Sequence, residues 1–399
     1  MNSRIYRPIL TSLLKISGIC LTSTMLVSCS TSQWINIATS KDPKSYLSNY
    51  AENRVKSYKY NPVALANDIT RIRQQYHKLL SLLRGEVEQQ WGSSDTLIPS
   101  NKRYVKYTQN YKSRAIINFE TGLIRVETLS DKDTQANLKN AVVTTLLTPD
   151  DPRSVDLYSD RQIKLSGQPY LYGLVKDHNN RMVQSPGQAE TYADYLVQQR
   201  MKTSQTQQGK SKYFVSFNMV SNFSNIQARR VKPLVDKYSQ RYNVSPSLVY
   251  AVIKTESAFN PYAVSSSPAY GLMQIVPTTA GRDTFSKIKG YDHIPSKEYL
   301  FIPENNIELG TAYLNIIEHQ YLGNIRNPVT REYCTISAYN GGAGNVLRMF
   351  SQDRTRAVDI INSMPPARIY DKLSNEHPRN ETRRYLYKVL HARKEFISI

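Results

Sequence analysis

Residues 247–279 read SLVYAVIKTESAFNPYAVSSSPAYGLMQIVPTT, a stretch in which a carboxylate follows an apolar run. Val249, Val252 and Ile253 lie on one face of a predicted helix at the i, i+3, i+4 spacing, and the i+7 position is Glu256. A carboxylate pressed against apolar side chains loses hydration, so its pKa rises. The pattern therefore predicts that Glu256 holds a proton near neutral pH and can act as a general acid.

The sequence after this helix favours a catalytic interpretation. Pro261 is expected to stop the helix soon after Glu256, at an edge where a cleft can open. The alternative is a slightly rotated helix that leaves the acid at the solvent border. Gly271-Leu272-Met273-Gln274 offers close backbone approach and an amide within an apolar string, and Ala338-Tyr339-Asn340 presents a ring, a hydroxyl and an amide. An apolar surface rimmed by such groups suits a sugar.

These motifs carry a resemblance to a known family. Glu256-Ser257, Gly271-Leu272-Met273-Gln274 and Ala338-Tyr339-Asn340, in this order and spacing, resemble the lysozyme-like SLT catalytic domain of family 1 lytic transglycosylases, which cut bacterial peptidoglycan. The N-terminal half is similar to the membrane-bound C branch of that family. The resemblance implies that peptidoglycan glycan strands are the substrate and that no cofactor is needed.

The resemblance also implies a mechanism with one carboxylate. Glu256 protonates the glycosidic oxygen between MurNAc and GlcNAc, then takes the proton of the MurNAc 6-hydroxyl, which attacks the anomeric carbon and leaves a 1,6-anhydro end. The family's substrate-binding positions match six residues of this chain. Ser265 is expected near the acid or the sugar, and Met273 and Gln274 are expected to line the cleft. Tyr339 and Asn340 are expected to hold the substrate, with Glu381 supporting them.

Two other functions are compatible with these motifs. Most glycosidases use two carboxylates, but Asp283 and Asp292 lie in loop-like sequence and match no catalytic position of the family. A goose-type lysozyme-like hydrolase would use the same acid and deliver water instead. A scaffold lipoprotein would bind peptidoglycan without cutting it. Departures from the family pattern at Pro268, Val276 and Gly342-Ala343-Gly344 leave loop shape and subsite preference open.

The N-terminus predicts export and lipidation. Three basic residues precede an apolar run at 16–27, which is too short to span a bilayer with margin and reads as a signal. Leu26-Val27-Ser28-Cys29 resembles a bacterial lipobox, which implies a lipid on Cys29, and Ser30 by the same resemblance favours the periplasmic face of the outer membrane. The alternative is an ordinary cleaved signal with a chance cysteine.

Charge and composition limit the partners. The formal charge of +20 favours a polyanion, and for an exported chain the available anions are lipid headgroups and peptidoglycan carboxylates, not nucleic acid. The six histidines are far apart in sequence, so no metal site is expected. Cys334, in an apolar run, is predicted to be a small buried residue. Nothing in the sequence indicates an oligomeric state.

The chain is predicted to contain an α+β N-terminal domain followed by a mainly α lysozyme-like catalytic domain. The predicted segments are a signal peptide at 1–28, a tether at 29–50, the accessory domain at 51–221 and the catalytic domain at 222–399. Accessory elements are helices at 62–91, 136–147 and 189–201, strands at 104–107, 114–119, 123–129 and 212–220, and a polar loop at 203–210. Besides the helix with Glu256, catalytic-domain helices are expected at 226–242, 307–321, 331–337, 345–350, 357–363 and 381–396.

Overall fold

The computed structural model describes residues 62–397, with side chains from residue 69 onward. The predicted signal peptide, the tether and the lipidation site Cys29 lie outside these residues. Between residues 62 and 397 no helix combines the length and apolar character that crossing a membrane requires.

The N-terminal part is a five-stranded antiparallel sheet with helices on both faces. The strand order is β1-β2-β3-β5-β4, and Val126 of β3 lies opposite Val215 of β5. The strands are β1 (Arg103–Thr108), β2 (Ser113–Asn118), β3 (Leu123–Thr128), β4 (Lys202–Gln205) and β5 (Ser211–Asn218). The helices are α1 (Pro62–Trp91), α2 (Thr134–Leu146) and α3 (Pro186–Arg200).

Both faces of the sheet are covered, which buries the whole centre of β1. Tyr104 packs with α2 and α3 in one core, whereas Val105 and Tyr107 on the other face pack with Trp91 at the end of α1. The predicted α+β class of this part is therefore confirmed, with each predicted helix and strand in place. The loop predicted at 203–210 is wrong in its first half, because β4 forms there. An edge strand exposed to solvent can be polar, so its composition resembles a loop.

The C-terminal part is helical, as predicted. Its elements are α4 (Phe223–Tyr242), α5 (Pro246–Ser257), α6 (Arg282–Thr284), α7 (Lys297–Leu300), α8 (Pro303–Asn315), α9 (Pro328–Gly341), α10 (Ala343–Arg348), α11 (Arg354–Ser363), α12 (Pro366–Glu376) and α13 (Asn380–Arg393). Wide π-type turns lie at Pro277–Gly281, Phe285–Lys289 and Ile316–Tyr321, and a 3₁₀ turn at Lys394–Phe396 closes the described chain. Helix α12 was not expected from the sequence, because its buried face has only Ile369 and Leu373.

Helix α5 runs through the centre of this helical part. All residues from Leu248 to Ile253 are buried, and α5 packs against α4 on one side and α13 on the other. Cys334 is a free, fully buried cysteine in the same core, as predicted. From Arg71 to residue 397 the chain forms one compact unit, so the sheet and the helical part pack directly on each other. The boundary placed between residues 221 and 222 falls in the connection from β5 to α4 and stays a prediction.

Candidate active site

Glu256 lies in the last turn of α5, as the sequence predicts. The helix ends at Ser257, earlier than Pro261, because Ala258 and Phe259 both adopt left-handed backbone angles, with φ of 51° and 62°. The Ala258 N–H still donates to the Lys254 carbonyl at 3.0 Å, which closes the helix. The chain therefore turns sharply just after the acid, and its carboxyl lies at an edge of the helical core.

The Glu256 carboxyl is partly buried and accepts a hydrogen bond from the Tyr385 hydroxyl to Oε1 at 2.7 Å. Burial raises the pKa of Glu256 from 4.5 to about 7, against the opposing effect of the Tyr385 hydrogen bond. The negative charge of Glu381 raises this pKa further, whereas Lys102 and Lys388 lower it. This is the direction of the shift predicted from the apolar stripe.

Gly271 lets the loop that follows α5 pack closely against α7 and α8. Its φ is +75°, and a Cβ there would lie 2.4 Å from Nδ2 of Asn306 and 2.7 Å from the Leu300 carbonyl oxygen. Asn306 is itself fully buried and accepts from the Met273 N–H at 2.7 Å. The Ser257 hydroxyl, next to the acid, donates to the Leu272 carbonyl at 2.8 Å. The loop and the end of α5 are thus joined beside Glu256.

Met273 and Gln274 are held by this loop and are both buried. The Met273 side chain has no exposed surface and packs on Gly310, while its carbonyl accepts from the Tyr339 hydroxyl at 2.9 Å. Gln274 has a φ of 51°, and its Nε2 donates to the carbonyls of Ala263 and Gly271 at 3.1 and 2.9 Å. Met273 therefore acts on the site through its main-chain carbonyl, which holds the Tyr339 hydroxyl.

Tyr339 and Asn340 lie at the end of α9, where Tyr339 is close to Glu256 and Asn340 contacts Glu381. The negative charge of Glu256 contributes to a raised pKa of the Tyr339 hydroxyl, after the larger effect of burial. Asn340 connects α9 to the start of α13, because its Oδ1 accepts from the Thr382 hydroxyl at 2.6 Å and its Nδ2 donates to Glu381 Oε1 at 3.4 Å. Four of the predicted residues therefore surround one edge: Glu256, Tyr339, Asn340 and Glu381.

The Ser265 hydroxyl forms hydrogen bonds within its own loop. It donates to the Ser267 carbonyl and accepts from the Ala269 N–H at 3.3 Å, so it closes that loop. The Ser265 carbonyl accepts from the Tyr76 hydroxyl at 2.7 Å.

The two other acids considered in the sequence are engaged elsewhere. Asp283 accepts from the Tyr321 hydroxyl at 2.7 Å, and Asp292 pairs with both arms of the Arg282 guanidinium at 2.5 and 2.6 Å. Glu381 is exposed and is the acid whose charge acts on Glu256. Within residues 62–397 no group of three His, Cys, Asp or Glu side chains is arranged to hold a metal ion.

Two residues that contact Glu256 were given no role in the sequence-based prediction of the site. Tyr385 lies four residues after Glu381 on α13, so the i, i+4 spacing could have placed it on the same face. Asn101 donates from Nδ2 to the Glu256 carbonyl at 2.6 Å, and no local pattern could have revealed a contact between residues 155 positions apart.

An open depression of about 810 Å³ lies beyond the end of α9. It is lined by residues between 320 and 362, including Ala343 and Gly344, and does not include Glu256.

Comparisons with known proteins place the chain in a family. Residues 69–230 match the model of the N-terminal domain of membrane-bound lytic murein transglycosylase C, and residues 233–362 match the transglycosylase SLT domain. The chain is 47% identical over 319 residues to proteins named membrane-bound lytic murein transglycosylase C from Serratia proteamaculans and Yersinia pestis, which covers 80% of this chain and 88% of each relative.

Solved structures were also compared. The 70 kDa soluble lytic transglycosylase of Escherichia coli is 28% identical to the aligned part of this chain, with a TM-score of 0.32. That alignment covers 42% of this chain and 24% of the Escherichia coli protein.

Proposed function

Because the chain belongs to the membrane-bound lytic murein transglycosylase C family and is a peptidoglycan lytic transglycosylase, we propose that Glu256 is both its catalytic acid and its catalytic base. The observation that carries this proposal is the Glu256 carboxyl itself, which is partly buried, hydrogen-bonded to Tyr385 and shifted to a pKa of about 7. A group with this pKa is present in both protonation states near neutral pH, as a residue that first gives and then takes a proton requires.

The proposed reaction needs no water. Protonated Glu256 gives its proton to the glycosidic oxygen of the MurNAc–GlcNAc link while the bond from the anomeric carbon to that oxygen breaks. The MurNAc 6-hydroxyl oxygen then bonds to the anomeric carbon, and its proton passes to the Glu256 carboxylate. The products are a free GlcNAc 4-hydroxyl and a 1,6-anhydroMurNAc end, and the acid is restored for the next cycle.

The surrounding residues support this cycle in separate ways. The Tyr385 hydroxyl stabilises the carboxylate formed after the first proton transfer, and it fixes the direction of Oε1. Tyr339 presents its ring and Asn340 its amide to the sugar, and Glu381 orients Asn340. The others act indirectly, because Met273 fixes the Tyr339 hydroxyl, and Gln274 and Ser265 keep the shapes of their loops.

The experiment that tests the reaction is mass analysis of the sugar ends released from purified peptidoglycan by the detergent-solubilised chain. We expect MurNAc ends lighter than hydrolytic products by one water. Reducing MurNAc ends would instead indicate a lysozyme-type hydrolase. Binding to peptidoglycan without release of fragments would indicate a scaffold.

The relatives are named membrane-bound, and this chain is membrane-associated because it belongs to the same family. We propose that the association is a lipid on Cys29 at the periplasmic face of the outer membrane, supported by the lipobox-like Leu26-Val27-Ser28-Cys29 and by Ser30. Two or more acyl chains would hold the protein firmly, since a single chain binds marginally.

Cys29→Ala is expected to move the protein from the membrane fraction into the periplasmic extract, because the acylated residue is lost. The measurement is the distribution of protein between washed outer membranes and the extract, with Cys334→Ala as the matched control, since Cys334 is buried and lies far from Cys29 in sequence. Retention of the Cys29→Ala protein in washed membranes would contradict a lipid anchor.

A further inference from the structure

The accessory sheet contacts the turn that carries the proposed acid. Asn101, in the segment just before β1, donates from Nδ2 to the Glu256 carbonyl at 2.6 Å. In return, the Asn101 carbonyl accepts from Nδ2 of Asn260 at 2.9 Å. Asn260 is completely buried, and its Oδ1 accepts from the Tyr262 N–H at 3.0 Å. One asparagine of the accessory part is thus bonded to both ends of the turn from Glu256 to Asn260.

This turn needs external support. Ala258 and Phe259 are consecutive residues in the left-handed region, where L residues other than glycine are uncommon and a bulky one such as Phe is an outlier. Each is therefore strained and persists only where its surroundings hold it. The carbonyl of Glu256 is also among the last of the helix, which have no partner within α5. Asn101 supplies that partner.

Other accessory contacts reach the same turn. The Tyr170 hydroxyl donates to the Phe259 carbonyl at 3.2 Å, and the Tyr262 hydroxyl donates to the Pro149 carbonyl. Ala258 and Tyr262 are buried in the core of the sheet and its helices, although they belong to the chain segment after α5. Of these contacts, the one from Asn101 is made with the main chain of Glu256 itself.

Glu256 is therefore held at two points from opposite parts of the molecule. Tyr385 of α13 fixes the carboxyl, and Asn101 fixes the main-chain carbonyl. A shift of the carbonyl would carry the side chain with it, and a misplacement of about 1 Å can cost a reaction roughly 100-fold. We propose that Asn101 is a positioning residue for Glu256, so that the accessory domain takes part in setting the geometry of the acid. This inference rests on the proposed role of Glu256.

The charged and titratable groups around the Glu256 carboxyl influence its pKa, and therefore the pH profile expected for variants of Asn101. They come from three elements: Glu381, Tyr385 and Lys388 on α13, Tyr339 on α9, and Lys102 beside Asn101. A carboxyl that relaxes toward water loses part of its raised pKa, since burial is the main cause of the shift. The alkaline limb of the activity profile, where the acid loses its proton, reports this change.

The test compares Asn101→Ala and Asn101→Asp with the parent in the full, detergent-solubilised chain. For Asn101→Ala we expect kcat to fall about tenfold with KM within about twofold, and the alkaline limb to move to lower pH. For Asn101→Asp, which has nearly the same shape but no donor, we expect a similar loss of kcat with the limb at higher pH, because a second carboxylate raises the pKa of Glu256. Partial unfolding would not move the alkaline limb in opposite directions in the two variants while lowering kcat in both.

The control variant is Asn179→Ala, which removes an exposed accessory-domain amide that contacts His178. Its kcat and pH profile are expected to match the parent. The inference is overturned if folded Asn101→Ala keeps the parent kcat, if only KM changes, or if activity falls with the folded fraction while the pH profile stays fixed. Glu256→Gln measured alongside separates the two levels: an active Gln variant would refute the role of Glu256, whereas an inactive one with unaffected Asn101 variants would refute only this inference.

Discussion

Glu256→Gln is expected to lower peptidoglycan cleavage by about 10³-fold or more. The amide has nearly the size and shape of the acid but can neither give nor take the proton, and general acid–base catalysis by one residue is worth about 10²–10⁴-fold. Here a single residue serves both steps, so the loss should lie in the upper part of that range. The measurement is the rate of release of anhydro ends from purified peptidoglycan, with binding to the same material measured in parallel and expected to be unchanged.

Glu376→Gln is the matched control for this change. Glu376 lies at the exposed end of α12, where its carboxylate pairs with Lys372 one helical turn earlier. Since a surface pair contributes little, this variant should cleave at the parent rate. A correctly folded Glu256→Gln protein with more than about a tenth of parent activity would refute Glu256 as the acid, since loss of this group should exceed that factor.

Glu256→Gln also has a predicted effect on stability. The pKa of Glu256 is about 7 in the folded chain and near 4.5 when exposed, so folding favours its protonated form. The contribution of this group to the free energy of unfolding is therefore fully present below pH 4.5 and is lost as the pH rises through 7. At pH 8 the buried charge costs at most about 3 kcal/mol, less where water reaches the carboxyl. Gln carries no such charge.

Melting temperatures at two pH values test this expectation. We expect Glu256→Gln to melt higher than the parent at pH 8 and at nearly the same temperature at pH 4. An equal difference at both pH values would show that the carboxyl does not titrate in the folded state as the structure indicates.

Gly271→Ala is expected to destabilise the chain by about 3 kcal/mol or more. The φ of +75° already costs an alanine about 1–2 kcal/mol, and its Cβ would lie 2.7 Å from the Leu300 carbonyl, a main-chain atom that cannot move away alone. The Asn306 amide, 2.4 Å from the same point, holds the Met273 N–H and would be displaced with it. Cleavage should fall as well, because Met273 fixes Tyr339.

Gly173→Ala separates the two causes of this effect. Gly173 has a similar φ of +71°, but a Cβ there meets no atom within 4 Å, so only the backbone cost of about 1–2 kcal/mol is expected. The measurement is the midpoint of denaturant unfolding for both variants. Equal destabilisation of the two would mean that Gly271 is required only for its φ and that the close approach to Leu300 and Asn306 does not matter.

Much of the architecture is predictable because its signals are local. The 3.6-residue periodicity placed α1 and most helices of the catalytic part, and alternation with short turns placed β1, β2, β3 and β5. The failures have local causes too. Strand β4 is a solvent-exposed edge with polar side chains, and α12 follows two prolines and buries only two apolar residues. In both segments the amino-acid composition indicates no particular secondary structure, and packing against the neighbouring elements determines which structure forms.

The candidate site divides in the same way. The sequence by itself determined that Glu256 lies on a buried helical face, since side-chain direction follows from helical spacing, and that its pKa should rise. Only the tertiary structure decided that Met273 is buried, that Ser265 closes its own loop, and that Tyr385 and Asn101 reach the acid from 129 and 155 residues away. The physical reason is that periodicity reports which face of an element is buried, whereas the atoms that meet on that face depend on how distant segments pack.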